Sequence, residues 1–452
     1  MNLIYNVDDK PKFGQLIVFA IQQLLAIMAA TLVVPVIIGN GMSPAAALFG
    51  AGAGTLVYVL FTKKKSPVFL GSSFAFLGSM AAAFAGGVSM SLGYVGLILG
   101  AIFAGLVYVV IALVVKFVGV KWIDKLMPAV VIGPTVAIIG LSLAGNAVGD
   151  ILKGNVVADG AQLANPFICL LCGLVTLFTV MACSTYGKKM ARLIPFILGI
   201  LAGYVVALIL TLIGKATGTN AIQVLDTTPL TSLFADGVTL KTFITLPDFT
   251  FLTAYKGIGE INASYIATIA VAYVPVAFVV FAEHIADHKN ISSIIEKDLL
   301  VEPGLHRTLL GDGVGSMVGA LFGGCPNTTY GESVGCVAIT KNASVNTIIA
   351  AAIGAIIISF ISPFVAFVNS IPSCVMGGVC MALYGFIAVS GLRMFKNLDL
   401  DDNRNLFVVS VILISGIGGL SLTFGKVTLT SIACALILGI ITNLILSGKK
   451  EN

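Results

Sequence analysis

The chain has 452 residues, of which 58% are apolar and 10% are charged, and its mean hydropathy is +1.07. Ordinary soluble proteins contain about 45–50% apolar and about 25% charged residues, so this chain has too few charges to cover a water-soluble surface. The net charge of +5 is small. The composition therefore predicts a multi-pass membrane protein and excludes fibrous, disordered and soluble-enzyme classes.

Apolar runs of about 20 residues, the length that crosses roughly 30 Å of hydrocarbon as a helix, recur along the chain. They predict an all-α polytopic fold with fourteen transmembrane segments, an even number that leaves both termini on one side. The first run is long enough to span, so no cleavable signal peptide is expected. The segments lie near residues 14–37, 44–62, 68–86, 90–119, 126–146, 165–184, 191–214, 262–287, 305–324, 326–345, 346–368, 371–394, 405–422 and 427–447.

Lysine and arginine are divided unequally between the two sides that these segments create. Of the 25 basic residues, only five lie on the side opposite the termini, namely Lys153, Lys215, Lys241, Lys256 and Lys426. Because cytoplasmic loops carry the excess of Lys and Arg, both termini are expected in the cytoplasm. The long loop near 215–260 then faces outside.

The two halves of the sequence resemble each other. Residues 49–61 return as 310–322 with a shift of 261, and residues 127–133 return as 371–377 with a shift of 244. The repeat unit is seven segments, an odd number, so the second copy is inverted in the membrane. This pattern predicts a 7+7 inverted repeat with the substrate site between the copies. The glycines that the first pair shares indicate close helix packing rather than a phosphate-binding loop.

Segments 3 and 10 each begin with an interruption. Residues 67–74 and 325–332 contain a proline, then small hydroxyl residues, and then a resumed apolar run. Irregular backbone at membrane depth is tolerated only where it is buried or lines a cavity. We expect two broken helices preceded by short extended segments that pair, with N–H groups near Phe74 and Gly331 facing a ligand. Two loop turns at the membrane surface are the alternative.

Ionisable side chains inside transmembrane segments are expensive and are therefore functional candidates. Glu283 and Asp287 lie four residues apart and share a helix face, and Glu332 follows the second interruption. A carboxylate accepts hydrogen bonds from ring N–H groups, and crowding of carboxylates at low dielectric favours the protonated form. Glu283, Asp287, His288 and Glu332 are the candidates for proton coupling. For His288 and Lys289, a solvated position at the cytoplasmic end of segment 8 is favoured.

No constellation of catalytic residues competes with this interpretation. Asp399, Asp401 and Asp402 resemble half of a Mg²⁺-diphosphate site, but they have no partner motif and indicate a solvated turn. Cys169 and Cys172 have neither a second cysteine pair nor a nearby histidine, so two buried thiols on a helix are favoured over a metal site. We expect no enzyme activity, no metal, no cofactor and no nucleic-acid partner.

Five stretches resemble the nucleobase–ascorbate transporter family: LGSSFAF at 70–76, AEH at 282–284, PGLHR at 303–307, PNTTYGE at 326–332 and LYG at 383–385. The PNTTYGE stretch is typical of the uracil-type branch. The resemblance implies import of uracil by proton symport across the cell membrane, in a protein that commonly forms homodimers.

The resemblance also implies a division into two domains. A core domain would comprise residues 1–125 and 255–370, and a gate domain would comprise 126–254 and 371–452. Glu283 and Glu332 would bind the pyrimidine edge, and main-chain groups at Phe74 and Gly331 would contact its carbonyls. Three further residues would line the pocket: Ala30, Tyr330 and Tyr384.

Two positions depart from the family pattern. Asp287 stands where relatives typically carry His, and Gln22-Gln23 stands where they often carry Gln-His. Three alternatives therefore stay open: transport of another nucleobase such as xanthine or a purine, coupling to Na⁺, and an anion carrier of the same architecture. Two carboxylates in the site argue against an anion.

Overall fold

The computed structural model describes residues 3–158, 161–188, 190–424 and 427–447. Lys189, Lys426, Lys449 and Lys450, which contributed to the predicted charge distribution, lie outside these residues. Eight helices within the described residues are long and apolar enough to cross a membrane, and four shorter apolar helices accompany them. The protein is a predominantly helical, multi-pass membrane protein.

The helices of the first half are α1 (Phe13–Ile38), α2 (Pro44–Phe61), α3 (Leu77–Ala83), α4 (Met90–Val118), α5 (Lys121–Leu126), α6 (Ala129–Ser142), α7 (Ala144–Asp150), α8 (Pro166–Tyr186), α9 (Met190–Leu193) and α10 (Pro195–Thr217). The long segment between α10 and α14 carries α11 (Thr228–Thr231), α12 (Leu240–Phe243) and α13 (Thr250–Ala254). The second half contains α14 (Ala263–Ile295), α15 (Leu305–Gly323), α16 (Gly331–Thr340), α17 (Val345–Ile358), α18 (Ser362–Ser370), α19 (Ser373–Arg393), α20 (Asn403–Ile417) and α21 (Ser431–Ser447).

Three short antiparallel strand pairs complete the structure, the first of which joins the two halves of the chain. The strands are β1 (Leu70–Ser72), β2 (Val157–Ala158), β3 (Ala161–Gln162), β4 (Asn327–Thr329), β5 (Leu422–Phe424) and β6 (Val427–Leu429). β1 pairs with β4, whereas β2 pairs with β3 and β5 with β6.

Local sequence explains where the long helices begin. The side chains of Ser43, Ser89 and Asn262 accept hydrogen bonds from backbone N–H groups three residues ahead, at 3.2, 3.1 and 2.9 Å. These caps satisfy donors that the first helical turn leaves without partners. Proline occupies the first position of α2 and α8, where its missing N–H costs nothing.

The structure divides one predicted segment. The run 346–368 was expected to be continuous, but α17 ends at Ile358 and α18 begins at Ser362. Pro363 lies in the first turn of α18, where it cannot donate to the preceding turn of a continuing helix. The carbonyl of Phe360 instead accepts from the backbone N–H of Thr245 at 2.9 Å.

The repeated segments form α2 and α15, which pack directly against each other. A Cβ atom on Gly54 would lie 2.6 Å from the carbonyl oxygen of Gly315, and one on Gly50 would collide with that of Gly319. Real side chains cannot occupy these positions, so the glycines allow the two backbones to touch. The prediction that this row serves helix packing is confirmed.

The remaining helix contacts fall into two sets. α15 also packs against α4, α2 packs against α17, and α14 packs against α4. In the other set α8 packs against α10 and α19, α6 packs against α19 and α20, and α20 packs against α21. α14 touches both sets, because it also contacts α6 and α21.

Candidate functional site

The strands β1 and β4 meet in an antiparallel pair in which Leu70 faces Thr329 and Ser72 faces Asn327. Ser73 N–H donates to the Pro326 carbonyl at 2.9 Å, which extends the pairing by one residue. All six strand residues are buried. Each strand leads into a helix: β1 into the 3₁₀ turn Phe74–Phe76 and then α3, and β4 into α16. The N-termini of two helices are thereby fixed beside each other.

α2 holds both strands in place. The hydroxyl of Thr55 accepts from Leu70 N–H at 2.9 Å, and the amide of Asn327 donates to the Gly50 carbonyl at 3.1 Å. Buried backbone groups that lack a partner are costly, so these side-chain contacts stabilise extended backbone that a short two-stranded pair cannot satisfy alone.

Tyr330 secures the end of β4. Its hydroxyl donates to the Ser72 carbonyl at 2.7 Å, and its side chain is buried. A Cβ atom on Gly71 would collide with the Tyr330 ring, so glycine is required for this close approach. Tyr330 was predicted to line a pocket, and the structure places it across the two strands.

α1 is tied to the start of α16 through Ser333. The Ser333 hydroxyl accepts from Phe69 N–H at 2.9 Å and from the side-chain amide of Gln23. Gln23 is buried. Gln23, at a position where the chain departs from the family pattern, therefore donates a hydrogen bond from α1 to α16.

Three predicted carboxylates come together next to these helix N-termini. Glu283 and Asp287 project from α14, and Glu332 lies in the first turn of α16. Asp287 Oδ2 accepts from the hydroxyl of Thr329 in β4 at 2.8 Å. α14 packs against β4 and α16, and a Cβ atom on Gly331 would lie 3.8 Å from Asp287 Oδ1. The three side chains are half-buried, and Gly331, between β4 and Glu332, is exposed.

Three further residues of the predicted site are Phe74, Tyr384 and Ala30. The Phe74 ring meets the Tyr384 ring edge-on, with centroids 5.8 Å apart. Both are buried, as is Ala30 on α1. Phe74 therefore links the turn after β1 to α19, which belongs to the other set of packed helices.

A fourth carboxylate, which the sequence reasoning missed, lies behind the site. Asp312 on α15 is fully buried, and its Oδ2 atom lies 2.6 Å from Nδ1 of the equally buried His284. Two signals were available: Asp312 is ionisable within a predicted transmembrane segment, and the repeat places the apolar Ala51 at the corresponding position of the first copy. His284 points away from Glu283, as expected from its place in the helix.

The partners of His284 indicate which of its ring nitrogens carries a proton. Thr308 Oγ1 lies 3.0 Å from both the Leu305 carbonyl and His284 Nε2. When its hydroxyl donates to the carbonyl, it accepts from His284 Nε2–H. The contact between Nδ1 and Oδ2 of Asp312 then shares a single proton. With that proton present the pair is neutral overall, which suits a buried position.

The prediction for His288 is wrong. Its side chain is fully buried rather than solvated. Its Nδ1 atom lies 2.8 Å from the His284 carbonyl, which can only accept, and its Nε2 atom lies 2.7 Å from the Tyr58 hydroxyl on α2. The reason is that α14 continues to Ile295 rather than ending near 287. Lys289 is exposed, as expected.

Two motifs that were set aside are structural. Cys169 and Cys172 are fully buried on α8, as predicted. Asp399, Asp401 and Asp402 are exposed. Asp402 caps α20, because its carboxylate accepts from Arg404 N–H at 3.0 Å. This arrangement confirms the solvated turn.

A cavity of about 630 Å³ lies elsewhere, between α4 and the segment around α13. Its lining is apolar and includes Leu99, Phe251 and Tyr255. None of its lining residues belongs to the carboxylate cluster, and it offers no polar group that resembles the predicted site.

The sequence is similar to several permeases. The profile of the permease family Xan_ur_permease matches residues 14–424. The chain is 38% identical to the uracil permease of Bacillus caldolyticus, over 99% of this chain and 96% of that protein. It is 37% identical to the uracil permease of Bacillus subtilis (98% and 95%) and 35% identical to that of Escherichia coli (97% and 93%).

Solved structures of other carriers share the fold. The transmembrane domain of a cyanobacterial bicarbonate transporter matches with a TM-score of 0.62 at 14% identity, covering 97% of this chain and 100% of that one. A murine Solute Carrier 26 family anion transporter in the inward-facing state also gives 0.62, at 10% identity, covering 97% and 69%. Profile and relatives both span almost the whole chain, and the chain therefore belongs to this permease family, the nucleobase–ascorbate transporters, and is a permease rather than an enzyme.

Proposed function

We propose that this permease imports uracil across the cell membrane as a proton-coupled secondary active transporter. The observation that carries the proposal is the packing of α14, which carries Glu283, against α16, which carries Glu332, beside the N-termini that follow β1 and β4. The relatives named uracil permease support the choice of substrate.

The chemistry of the site suits a pyrimidine ring. Uracil presents ring N–H donors and carbonyl acceptors along one edge. Glu283 and Glu332 accept from the N–H groups, and backbone N–H groups at Phe74 and Gly331 donate to the carbonyl oxygens, aided by the positive ends of the helices. Ala30, Tyr330 and Tyr384 form the walls around the ring.

Protons accompany the substrate because the site is crowded with acids. Glu283 and Asp287 lie on α14 and Glu332 lies on α16, which packs against α14. Asp312 adds a fourth carboxylate, bound to the neighbour of Glu283. Carboxylates that share one low-dielectric region cannot all be ionised. A proton that binds with uracil and leaves with it therefore couples the two fluxes, with Glu283, Asp287 and Glu332 as carriers. His288 is removed from this set because both of its ring nitrogens are engaged away from the cluster.

The architecture that we infer is fourteen membrane segments in a 7+7 inverted repeat. The direct packing of α2 on α15, which carry the repeated glycines, supports it, as does the pairing of β1 with β4. In this scheme segments 3 and 10 are broken helices, of which α3 and α16 form the helical parts.

Two domains follow from the same scheme. The helices around α2 and α15 form a core with residues 1–125 and 255–370, and those around α6 and α19 form a gate with 126–254 and 371–452. Uptake proceeds by movement of core against gate. Both termini are cytoplasmic, and the protein works as a homodimer in the bilayer.

An anion substrate is not favoured, although the solved structures that share the fold include anion transporters. Likeness at this level of identity concerns the fold, and three clustered carboxylates would repel an anion. The experiment below distinguishes uracil from xanthine or another purine as the substrate. It also distinguishes protons from Na⁺ as the coupling ion.

The test is uptake of radiolabelled uracil into membrane vesicles with an imposed pH gradient, an imposed Na⁺ gradient or neither. We expect accumulation that depends on the pH gradient, competition by unlabelled uracil but not by xanthine or sulfate, and its loss in Glu283→Gln. Asp399→Asn is the matched control, because this carboxylate lies in an exposed turn. Equal uptake without a pH gradient would remove the proton-symport claim.

A further inference from the structure

A small apolar cluster stands apart from the main hydrophobic core. It consists of Ala26 on α1, Cys336 on α16 and Leu193 on α9, all buried, with Ile194 packed against it. α1 and α16 carry residues of the candidate site, whereas α9 belongs to the short connection between α8 and α10. The cluster is therefore a point where the two proposed domains touch.

The cluster lies directly along the helix from the carboxylates. Glu332 and Cys336 are four residues apart on α16, so they occupy the same face, with Cys336 one turn closer to the end at Thr340. That end is held by the N-terminal segment, since Ile4 N–H donates to the Lys341 carbonyl at 2.7 Å. The cluster that Leu193 shares with Ala26 and Cys336 thus lies along the helix face that leads from Glu332 towards the end of α16 that the N-terminal segment holds.

A second contact joins α1 to α9, one turn of α1 away from Ala26. Gln22 and Ala26 share a face of α1, and the Gln22 amide lies 2.9 Å from the sulfur of Met190, at the start of α9. Met190 and Leu193 are three residues apart, so α9 presents one side to α1 and α16. Both contacts are small, apolar or weakly polar, and break without exposing a charge.

From this geometry we propose that Leu193 and Ile194 form the cytoplasmic gate of the transport path, closing against Ala26 and Cys336. The inference rests on the proposed transport function, because a gate has meaning only where a substrate passes. Opening the path to Glu332 from the cytoplasm then requires α9 to separate from α16, which exposes Cys336. The thiol is a reporter of the gate and is not itself part of the transport chemistry.

The experiment measures the rate at which N-ethylmaleimide modifies Cys336 in membranes, read by mass spectrometry of the peptide that contains it. Leu193→Ala removes apolar surface from the cluster in which the thiol is buried, so modification should be about tenfold faster than in the wild type. Leu201→Ala is the matched control, because Leu201 lies on α10 with its side chain exposed and should leave the rate unchanged. Buried Cys325 should stay unmodified in every folded variant.

Modification of Cys325 in Leu193→Ala would show that this variant unfolds. In that case Ile194→Ala takes its place in the same measurement. A second arm uses Leu193→Cys: oxidation of this thiol and the Cys336 thiol by copper(II) phenanthroline forms a disulfide, releasing two protons and passing two electrons to copper. Uracil uptake should stop and return after reduction with dithiothreitol.

The gate and the transport function fail in different ways. Suppose that the folded alanine variants take up uracil normally and that their Cys336 is modified at a rate within twofold of the wild type. This result would overturn the proposed cytoplasmic gate and leave the transport function standing. Faster modification in a protein that transports no uracil would support the gate and overturn the proposed substrate.

Discussion

His284 Nδ1 lies 2.6 Å from Asp312 Oδ2, and the two fully buried side chains join α14 to α15. Because Glu283 is the neighbour of His284, this contact fixes the rotation of α14 and with it the direction in which Glu283 points. His288 adds a second connection, from α14 to Tyr58 on α2. The carboxylates of the site are thus oriented by polar contacts behind it.

We expect Asp312→Ala to destabilise the protein by about 3–5 kcal/mol, because removing one partner leaves the other polar group buried without compensation. The measurement is the thermal transition of the purified protein in detergent. Asp150→Ala is the control, since Asp150 forms a surface pair with Lys153 at 3.1 Å and such pairs contribute about 0–1 kcal/mol. Equal shifts in both variants would contradict the role of the buried pair.

Gly54→Ala should lower stability by roughly 1–3 kcal/mol, as overpacking of a tight contact does. The added methyl group would lie 2.6 Å from the Gly315 carbonyl, so α2 and α15 must separate. Gly145→Ala is the comparison, because a methyl group there meets no atom within 4 Å. The measurement is the thermal unfolding of the two variants. A Gly54→Ala protein as stable as the wild type would contradict the close approach of α2 to α15.

The Ser333 contact predicts coupling between α1 and α16. Ser333→Ala removes the acceptor for both Phe69 N–H and the Gln23 amide, and each lost hydrogen bond costs about 1–3 kcal/mol when the donor stays buried. Gln23→Ala should cost much less in the Ser333→Ala background than in the wild type. A double-mutant cycle measures this difference, and simple additivity would show that the two side chains do not interact.

Uptake should fall as the external pH rises at constant internal pH. Raising the external pH lowers the inward proton gradient, so a carrier that must bind a proton together with uracil loses driving force. The check is the initial rate of uracil uptake across a series of external pH values. A rate that stays constant or increases with external pH would speak against protons as the coupling ion.

The sequence alone was sufficient for the features that depend on composition and spacing. Long apolar runs predicted the positions of α1, α4 and α14, and the repeated glycines predicted a tight helix contact, because both signals are local. The carboxylates Glu283, Asp287 and Glu332 were identifiable because charges are rare inside membrane segments.

Features that depend on which helices become neighbours were missed. The burial of His288 follows from the length of α14, which reaches eight residues past the expected end, and from the position of Tyr58 opposite. The partnership of His284 with Asp312 depends on α15 lying behind α14. The cluster that brings residue 193 together with residues 26 and 336 joins distant parts of the chain, and none of the three has a local pattern that indicates it.

Equilibrium binding of uracil to the purified protein, measured by isothermal titration calorimetry, tests the central claim most directly. We compare the wild type with Glu283→Gln, Glu332→Gln and the surface control Asp399→Asn. Hydrogen bonds to a charged acceptor contribute about 1.5–3 kcal/mol, so each of the first two variants should bind uracil at least about tenfold more weakly, while the control binds like the wild type. Wild-type affinity in both Glu283→Gln and Glu332→Gln would contradict the account.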